Sequence, residues 1–520
     1  MKKALLIALT LGLICVWAVP AMAIDWSATG AINVLSAFYK NMDERLPIYL
    51  GGPPGSNDFG FGVGPADPAW NQENWWLQNR LQLFVTARAS QDLYGTIGFE
   101  IDSARWGEAE AAPGSNTAHT IGKWNADAVA ITVKSMFIDF KVPNAPVWFR
   151  AGIQPYILRP WVLLCDDAAG ISARVALKAG DVKIGINPFW AVMSKGGWFI
   201  TPAGPLAGTA VPGAATDQTT ADDANLFGVD LNATIGPAKL GTYFIYQNRP
   251  KRYDTVAGAG DSKQWWVGPY VDVKMGPLAA TLDFVYNGGY EVWDKGTITI
   301  FERANPLNVA PAPQGFSRRH QGMLFRGEAS YTMNKFRIGL GALYGTGDDP
   351  STKDVDEGYN VNFNGETAPV QRDFLIVGGD WGLNVPFGAT TTIIGFYKPW
   401  SSYGQGIWHV RGFADYQVTE WLKLLVNAGY IGDTVKHGDQ FGRDMIAPGV
   451  PDDDDSIGWE IDVGAQIKIY RNLTLSTAFG YLIGGKAVLS MGGFSLTGAP
   501  VPGGRAQDPW AWVTSLSYVF

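Results

Sequence analysis

The chain has 520 residues, and 40 Lys and Arg against 48 Asp and Glu give a formal net charge of −8, which argues against nucleic-acid binding. Of its two cysteines only Cys165 lies beyond an apolar leader, so the exported chain has no intramolecular disulfide. No later stretch is long and apolar enough for a transmembrane helix, whereas Trp, Tyr and Phe reach 13% and Gly accounts for 64 residues. Without spanning helices a chain crosses a membrane only as a closed β-barrel, because an open sheet leaves backbone groups unpaired in lipid.

The N-terminal residues have the pattern of a secretory signal peptide. Lys2 and Lys3 precede an apolar run from Ala4 to Val19, and Ala21-Met22-Ala23 supplies the small residues of a cleavage site. We predict cleavage after Ala23, so residues 1–23 are the signal peptide and residues 24–520 are one barrel domain.

Two other interpretations of the leader are weaker. A transmembrane anchor needs roughly 20 apolar residues, and this run is shorter. Lipidation at Cys15 is disfavoured because Ile14 stands where a small residue usually precedes a lipidated cysteine.

Beyond the leader, segments of about ten to fifteen residues alternate between apolar and polar positions, as in strands with two different faces. The best count is twenty, and eighteen remains open because segments 170–190 and 372–384 are the weakest of the set. The predicted strands are 26–39, 77–90, 93–105, 127–141, 147–156, 170–179, 181–190, 224–236, 238–249, 263–275, 278–292, 319–333, 335–347, 372–384, 388–399, 406–418, 421–433, 456–470, 472–485 and 509–520.

Tight turns and long connections alternate between these strands. Tight breaks occur at Gly236-Pro237, Gly276-Pro277, Asn334-Lys335 and Arg471-Asn472. This regularity predicts an all-β fold, a closed antiparallel transmembrane β-barrel with an even strand count, short periplasmic turns, long extracellular loops and both termini in the periplasm.

The long connections are rich in Gly, Pro, Asp, Ala and Thr and are predicted to be surface loops. None has the length or apolar periodicity of a separate domain or a plug. A periplasmic array of β-sandwiches is the alternative to the barrel. The connections are 40–76, 106–126, 191–223, 293–318, 348–371, 434–455 and 486–508.

The predicted strands have one face suited to lipid. In 421–433 this face carries Leu422, Leu424 and Val426, and in 456–470 Trp459 begins a similar row. Aromatic residues near the strand ends match the interfacial girdles of membrane barrels. This favours a membrane barrel over soluble sandwiches.

Charged residues occupy the opposite face and are predicted to face a lumen, because a charge facing lipid at mid-depth costs about 2–4 kcal/mol. Barrels of sixteen to eighteen strands already leave an aqueous channel, so a water-filled pore follows unless loops block it. Basic residues from the N-terminal third opposite acids from the C-terminal quarter predict a transverse field; mutual pairing of these charges is the alternative. The predicted pore-lining residues are Arg80, Arg88, Glu100, Asp102, Arg150, Arg174, Lys178, Asp283, Arg326, Glu328, Arg411, Asp415, Glu460 and Asp462.

Several hairpins resemble those of Gram-negative porins of the general and phosphate-selective kinds. MFIDFKVPNAPVWFRAGIQP, from Met136 to Pro155, is similar to their strand, turn and Gly-x-Gln-Pro strand. The segments Gly339–Pro350 and Trp459–Gly485 also look like porin hairpins. The amphipathic end of the chain, with Tyr518 and terminal Phe520, resembles the signal that the outer-membrane barrel-assembly machinery recognises.

The resemblance implies an outer-membrane porin, a channel for passive diffusion of ions and small polar solutes. It implies outer-membrane lipid, lipopolysaccharide and the assembly machinery as partners, and a homotrimer as the common assembly. The chain lacks a dense basic ladder and an acidic constriction loop, so the solute does not carry over. General porins place their constriction loop where Ile157 to Gly170 lies; 191–223 is the other candidate to fold inward.

The sequence offers little chemistry for catalysis, and we predict no enzyme, cofactor or metal site. The four histidines are His119, His320, His409 and His437, and only His409 lies well within a predicted strand. Acidic clusters such as Asp452 to Asp455 lack the spacing of a calcium-binding loop and are expected to be solvated.

Two rival functions remain open. One is the barrel sheath of a porin–cytochrome electron conduit, and a mixed-charge lumen disfavours it. The other is a dedicated carrier for a hydrophobic or polymeric substrate, for which a plug or an apolar path through the lumen is expected.

Overall fold

The computed structural model describes residues 24–40, 73–106, 131–160, 162–194, 224–252, 260–293, 299–300, 310–311, 316–348, 352, 354–359, 372–379, 381, 406–434, 456–485, 490–494, 500–505 and 508–520. The predicted signal peptide, 1–23, lies outside these residues. The described strands are β1 Asp25–Lys40, β2 Glu73–Ser90, β3 Leu93–Arg105, β4 Thr132–Lys141, β5 Val147–Leu158, β6 Leu164–Ala179, β7 Val182–Ser194, β8 Ala224–Ile235, β9 Ala238–Arg252, β10 Gly260–Met275, β11 Leu278–Trp293, β12 Thr299–Ile300, β13 Ala310–Pro311, β14 Phe316–Met333, β15 Phe336–Gly345, β16 Val355–Asp356, β17 Ile407–Gln417, β18 Leu422–Gly432, β19 Ser456–Tyr470, β20 Leu473–Gly484, β21 Ser490–Phe494, β22 Pro500–Arg505 and β23 Trp510–Val519.

Eighteen of the strands form the wall of a closed antiparallel barrel. The first and last wall strands, β1 and β23, close it with a register from Ala31 opposite Val519 to Lys40 opposite Trp510. Backbone bonds of 2.9 and 3.0 Å also join Gly30 to the terminal Phe520. Gly30 is required there, since an added Cβ would lie 2.7 Å from the Phe520 ring. Closure leaves the eighteen-stranded wall without an edge strand, as a membrane barrel requires.

The structure confirms the predicted fold class and corrects the best count of twenty strands to eighteen. Segment 170–190 does supply two strands, parts of β6 and β7. Segment 372–384 is not a strand: its described residues form turns, and Phe374 to Val377 are four consecutive buried apolar side chains without two faces. Segment 388–399 lies outside the described residues, and β15 pairs directly with β17 along ten positions, so no wall strand separates them.

The barrel has a short-turn end and a long-loop end. The short-turn end contains the start of β1, the end of β23 and tight turns such as Gly236-Pro237, in which Gly236 has a φ of 55°. The outer face carries rows of exposed apolar side chains, for example Leu424, Val426 and Trp459 at 44, 44 and 53% exposure. No helix in the described part is long and apolar enough to span a membrane. The outer face thus has the pattern predicted for contact with lipid.

The inner face differs from the polar lining of charged residues predicted from sequence. In its middle and toward the long-loop end it carries buried apolar side chains, which belong to one hydrophobic core with residues of three inward elements. Charged side chains lie along the whole inner face, from Glu291 and Glu460 in the long-loop half to Lys178 and Lys274 near the short-turn end. The apolar inner-face residues include Tyr39, Trp76, Ile245, Trp266, Leu324, Leu343, Ile407, Ile431, Ile457 and Leu482.

Candidate functional site

The tip of the β5–β6 hairpin, residues 154–160 and 162–168, leaves the barrel wall. Pairing of β4 with β5 ends at Met136 opposite Ile153, and pairing of β6 with β7 begins only at Ala169 opposite Val192. Gly152 lies at this departure with φ 130°, and an added Cβ would meet the Met136 carbonyl oxygen at 2.2 Å. Pro155 then has no N–H to offer a neighbouring strand. The Gly-x-Gln-Pro pattern therefore releases the hairpin tip from the wall.

Arg159 fastens the hairpin tip to β10 and β11, five strands along the wall. Its guanidinium binds both oxygens of Asp272 at 2.8 and 3.0 Å and donates to Asp283 Oδ2 at 2.7 Å. It also lies 4.4 Å above the centre of the Tyr270 ring. Burial opposes its charge, yet the hydrogen bonds and charges of Asp283 and Asp272 keep the pKa of Arg159 above its ordinary value.

Other contacts hold the near side of the hairpin tip. Lys134 Nζ lies 2.9 Å from Asp167 and 3.5 Å from Glu100, so it joins the tip to β3. The Tyr156 hydroxyl donates to the Trp190 carbonyl at 2.9 Å. Because it is held at both sides, the tip bridges the lumen.

A second element, the lumen segment, comprises residues 372–379 and 381. Phe374, Leu375, Ile376 and Val377 are all 0% exposed. The wall makes room for the segment through inward-facing glycines on three adjacent strands. Added Cβ atoms at Gly429, Gly464 and Gly480 would lie within 3.1 Å of Phe374, Trp381 and Leu375 respectively.

Asp373 is the polar centre of the lumen segment. One carboxylate oxygen is 2.7 Å from Arg326 and 2.9 Å from Arg411, and the other is 3.1 Å from His409 Nε2. Asn427 donates to its backbone carbonyl at 2.9 Å. Burial alone would raise the pKa of Asp373, but the charges of Arg326 and Arg411 hold it well below its usual range.

Glu460 anchors the same segment through backbone groups. Its carboxylate accepts the Ile376 and Val377 N–H groups, the latter at 3.0 Å. The neighbouring Asp462 accepts a bond from Asn427 at 2.9 Å. Both acids are 0% exposed. They therefore do not present charge to open lumen, and the transverse field predicted from them is wrong for these two residues.

Residues 354–359 form a third inward element, which we call the strap. It was predicted to belong to a surface loop, but Asp356 and Tyr359 are only 8 and 2% exposed. The strap pairs with β14 in parallel, with Asp356 opposite His320. The strap passes inside the wall and reaches the hairpin tip. There the Tyr359 hydroxyl donates a hydrogen bond to the Val162 carbonyl at 2.7 Å.

The predicted pore-lining residues fall into three groups. Some pair with each other along the wall: Arg80 with Glu100 at 2.8 Å, Arg150 with Asp139 at 2.6 Å, and Arg411 with Glu328 at 2.6 Å. Some hold inward segments, namely Asp283, Arg326, Glu460 and Asp462. The remainder lie nearer the short-turn end: Asp415 binds Lys423 at 3.1 Å, and Arg88, Arg174 and Lys178 are exposed.

The side chain of Asp102 lies outside the described residues. Arg174 combines exposure of 56% with a contact of 3.3 Å to Asp139. Mutual pairing, the alternative weighed from sequence, therefore accounts for several of these charges.

Sequence reasoning missed Arg159, Asp373 and Tyr359. Arg159 and Tyr359 stand in connections, where residue type alone does not separate a solvated group from a buried one. Asp373 was placed in the predicted strand 372–384, although the four consecutive apolar residues directly after it do not alternate between two faces. Tyr359 carries no such signal, because its partner Val162 is 197 residues away.

The lumen near the short-turn end contains a pocket of about 310 Å³. Lys239, Lys274 and the hydroxyls of Thr234, Thr281 and Ser330 line it together with Asp272 and Glu328. Both acids are engaged by arginines, Asp272 by Arg159 and Glu328 by Arg411. The pocket therefore combines two lysines with two acids that are already held in ion pairs.

Histidine and acidic side chains form no metal-binding group among the described residues. His409 faces inward as predicted, where it meets Asp373 and packs edge-on against Phe374 at 5.1 Å. His320 lies 3.5 Å from Asp356 and 4.0 Å from Glu291. His119, His437 and the acidic cluster Asp452 to Asp455 lie outside the described residues.

No protein-family model and no curated protein matches the chain. Among solved structures, its barrel is similar to two Pseudomonas aeruginosa proteins over nearly their whole length. OccK11 (OpdR) is 12% identical, with 95% of this chain and 96% of that chain covered and a TM-score of 0.41. OpdK with vanillate is 10% identical, with 95% and 98% covered and a TM-score of 0.44.

Proposed function

We propose that the chain is an outer-membrane porin, exported with a cleaved signal peptide, that allows passive diffusion of ions and small polar solutes. The closed eighteen-stranded wall supports this, with an apolar outer face and charged groups inside. Such a barrel is wider than its own side chains can fill, so water enters wherever the inward segments leave space. The proposal involves no catalytic step and no cofactor.

We infer that the exposed cations near the short-turn end set the charge preference of the channel. Arg88, Lys178 and Lys274 are exposed there, whereas Asp139, Asp272 and Asp415 each lie in an ion pair. A permeating solute meets the field of groups that are not neutralised locally. We therefore expect a mild preference for anions.

The pore-lining role predicted for Arg88, Arg174 and Lys178 remains part of this proposal. The buried members of the predicted set act instead by shaping the lumen through the segments they hold. The proposed partners are outer-membrane lipid, lipopolysaccharide, the assembly machinery that would read Tyr518 and Phe520, and copies of the chain in a homotrimer. Nucleic acid is not among them.

The buried apolar inner face is the observation that bears on a carrier for hydrophobic substrates. Its residues pack against Val162, Leu163 and Phe374 to Val377 in one core. An apolar wall is thus accounted for by the segments that cover it. A sheath around a cytochrome would need that space for its partner, so the porin proposal has more support.

Single-channel conductance of the purified, folded protein in planar bilayers tests the proposal. Steady current steps with a reversal potential toward the anion potential under a salt gradient are the expected result. Folding is checked by the altered gel mobility of unheated barrels. Silence from folded protein, including variants in which the inward segments are loosened, would contradict the porin proposal.

A further inference from the structure

The hairpin tip and the lumen segment each bring one charged side chain to a wall residue of opposite charge. The hairpin tip brings Arg159 to Asp283, and the lumen segment brings Asp373 to Arg326. Asp283 and Arg326 directly oppose each other in the β11–β14 register. In the described part of the chain these two opposed residues form no ion pair with each other. Each is neutralised by a different inward segment.

Asp272 repeats this arrangement beside it. It is opposed in the β9–β10 register by Lys239, yet it binds Arg159 at 2.8 Å. The Lys239 ammonium instead lies 5.5 Å from the centre of the Tyr270 ring. The wall therefore contains two registered pairs of opposite charge, Asp283 with Arg326 and Asp272 with Lys239, that the inward segments keep apart.

We propose that the hairpin tip and the lumen segment form one two-state gate. In the inward state, ion pairs between segment and wall hold both elements in the lumen. In the withdrawn state, Asp283 pairs with Arg326 and Asp272 with Lys239, so the wall neutralises its own charges. This inference rests on the proposed function, since a gate requires a conducting lumen.

Charge balance couples the two segments. If the hairpin tip withdraws alone, Arg326 is still engaged by Asp373, and Asp283 lacks a cation in a site with little water. If the lumen segment withdraws alone, Asp283 is still engaged by Arg159, and Arg326 lacks its carboxylate. Only joint withdrawal lets Asp283 and Arg326 meet, so each movement favours the other.

Two local features affect the equilibrium between the inward and the withdrawn state. The bond from the Tyr359 hydroxyl to the Val162 carbonyl ties the strap to the hairpin tip in the inward state. Arg159 has φ 47°, a left-handed conformation that a residue with a Cβ adopts only when its surroundings hold it. Withdrawal relieves this backbone conformation, which offsets part of the loss of the Arg159 ion pairs.

A double-mutant cycle on Arg159 and Asp373 tests the charge exchange. These residues bind different wall groups, so independent segments would give additive effects. We expect R159Q and D373N each to raise the ratio of high- to low-conductance dwell times by about tenfold or more, because each leaves one buried charge unpaired in the inward state. In the double variant, Asp283 and Arg326 can pair even in the inward state, so its ratio should fall well below the product of the two single effects.

Lys141→Gln is the matched control. It removes a wall cation from a pair with Asp92 at 3.9 Å, in which neither inward segment takes part. The dwell-time ratio should stay at the wild-type value. If the dwell-time ratio of the double variant equals the product of the two single-variant changes, the coupling is overturned. If all variants show one constant conductance level, the gate is overturned.

Labelling of Cys165 with a water-soluble maleimide separates the gate from the channel. Cys165 lies within the hairpin tip, opposite Ile157. Its labelling rate should rise in R159Q and in D373N relative to wild type. In the double variant the rise should be smaller than the product of the two single-variant rises. Silent bilayers with these labelling changes would overturn the channel and support the coupled movement; equal labelling rates in all four proteins would overturn the movement.

Discussion

The two halves of the barrel interior are built on different principles. The middle and long-loop half carries buried apolar side chains such as Trp266, Ile407 and Ile431, each 0% exposed. The short-turn half carries exposed cations such as Lys178 and Lys274. The first half therefore stabilises the inward segments as a core does, whereas charged side chains of the second half remain exposed. Substitutions should separate stability from selectivity along the same wall.

Trp266→Ala should have the largest effect on stability. It removes a large inner-face side chain that is 0% exposed. Truncating a buried Trp typically costs about 3–5 kcal/mol, because apolar contacts are lost and a cavity remains. Urea unfolding in lipid vesicles measures the change in the free energy of unfolding. Trp265→Ala, on the outer face of the same strand, is the control; an equal loss there would remove the distinction between inner core and outer face.

Asp373→Asn should cost nearly as much, about 3 kcal/mol at neutral pH, since it leaves Arg326 buried without its carboxylate. The folded-state pKa of Asp373 is lowered by Arg326 and Arg411 despite burial. Its contribution is therefore complete above the ordinary Asp value of about 3.9 and disappears as the pH falls through the lowered value.

Unfolding free energies of wild type and Asp373→Asn across this pH range measure the effect. The difference between the two proteins should be constant from neutral pH to about pH 5 and shrink only in stronger acid. A difference that vanishes above pH 5 would show that the carboxylate is not held by the two arginines.

Gly480→Val should have an intermediate effect. An added Cβ would lie 2.7 Å from Asp462 Oδ1 and 3.1 Å from Leu375, so the lumen segment must shift. Overpacking of this kind costs about 1–3 kcal/mol. Gly412→Val is the matched control, since its Cβ would meet only Leu340, at 3.8 Å. Equal unfolding free energies for the two variants would refute close packing of the lumen segment on β20.

Lys178→Gln combined with Lys274→Gln should have the smallest effect on stability and a clear one on selectivity. Both side chains are exposed, and exposed substitutions usually stay within about 0.5 kcal/mol. Removing two lumen cations should move the reversal potential toward the cation side. An unchanged reversal potential with unchanged stability would show that permeating ions do not pass these lysines.

Much of the wall could be predicted from the sequence because a strand reports its two faces every second residue. The exposed row of Leu424 and Val426, and the buried Asp462 beside exposed Ile461, follow this rule. The predicted strand count was too high because the run from Phe374 to Val377 does not alternate, so the rule does not apply there. There hydrophobicity signals burial, and only packing distinguishes a wall strand from a segment inside the barrel.

The candidate site could be predicted only in part. Inward orientation was readable for Arg80, Asp283 and Arg326 from alternation, but their partners were not. Arg159 lies 113 residues from Asp272 and 124 residues from Asp283. Such pairings depend on which loops enter the lumen, and loop composition does not encode that.

The sequence by itself determined a closed all-β barrel, its tight turns, and which side chains face outward, because backbone pairing and period-two alternation are local properties. The tertiary structure alone decided which charges are neutralised, which are buried under the hairpin tip and the lumen segment, and which remain exposed to a solute. Closing the barrel brings distant connections into one confined volume, where charge balance and packing, rather than local pattern, select the partners of each side chain.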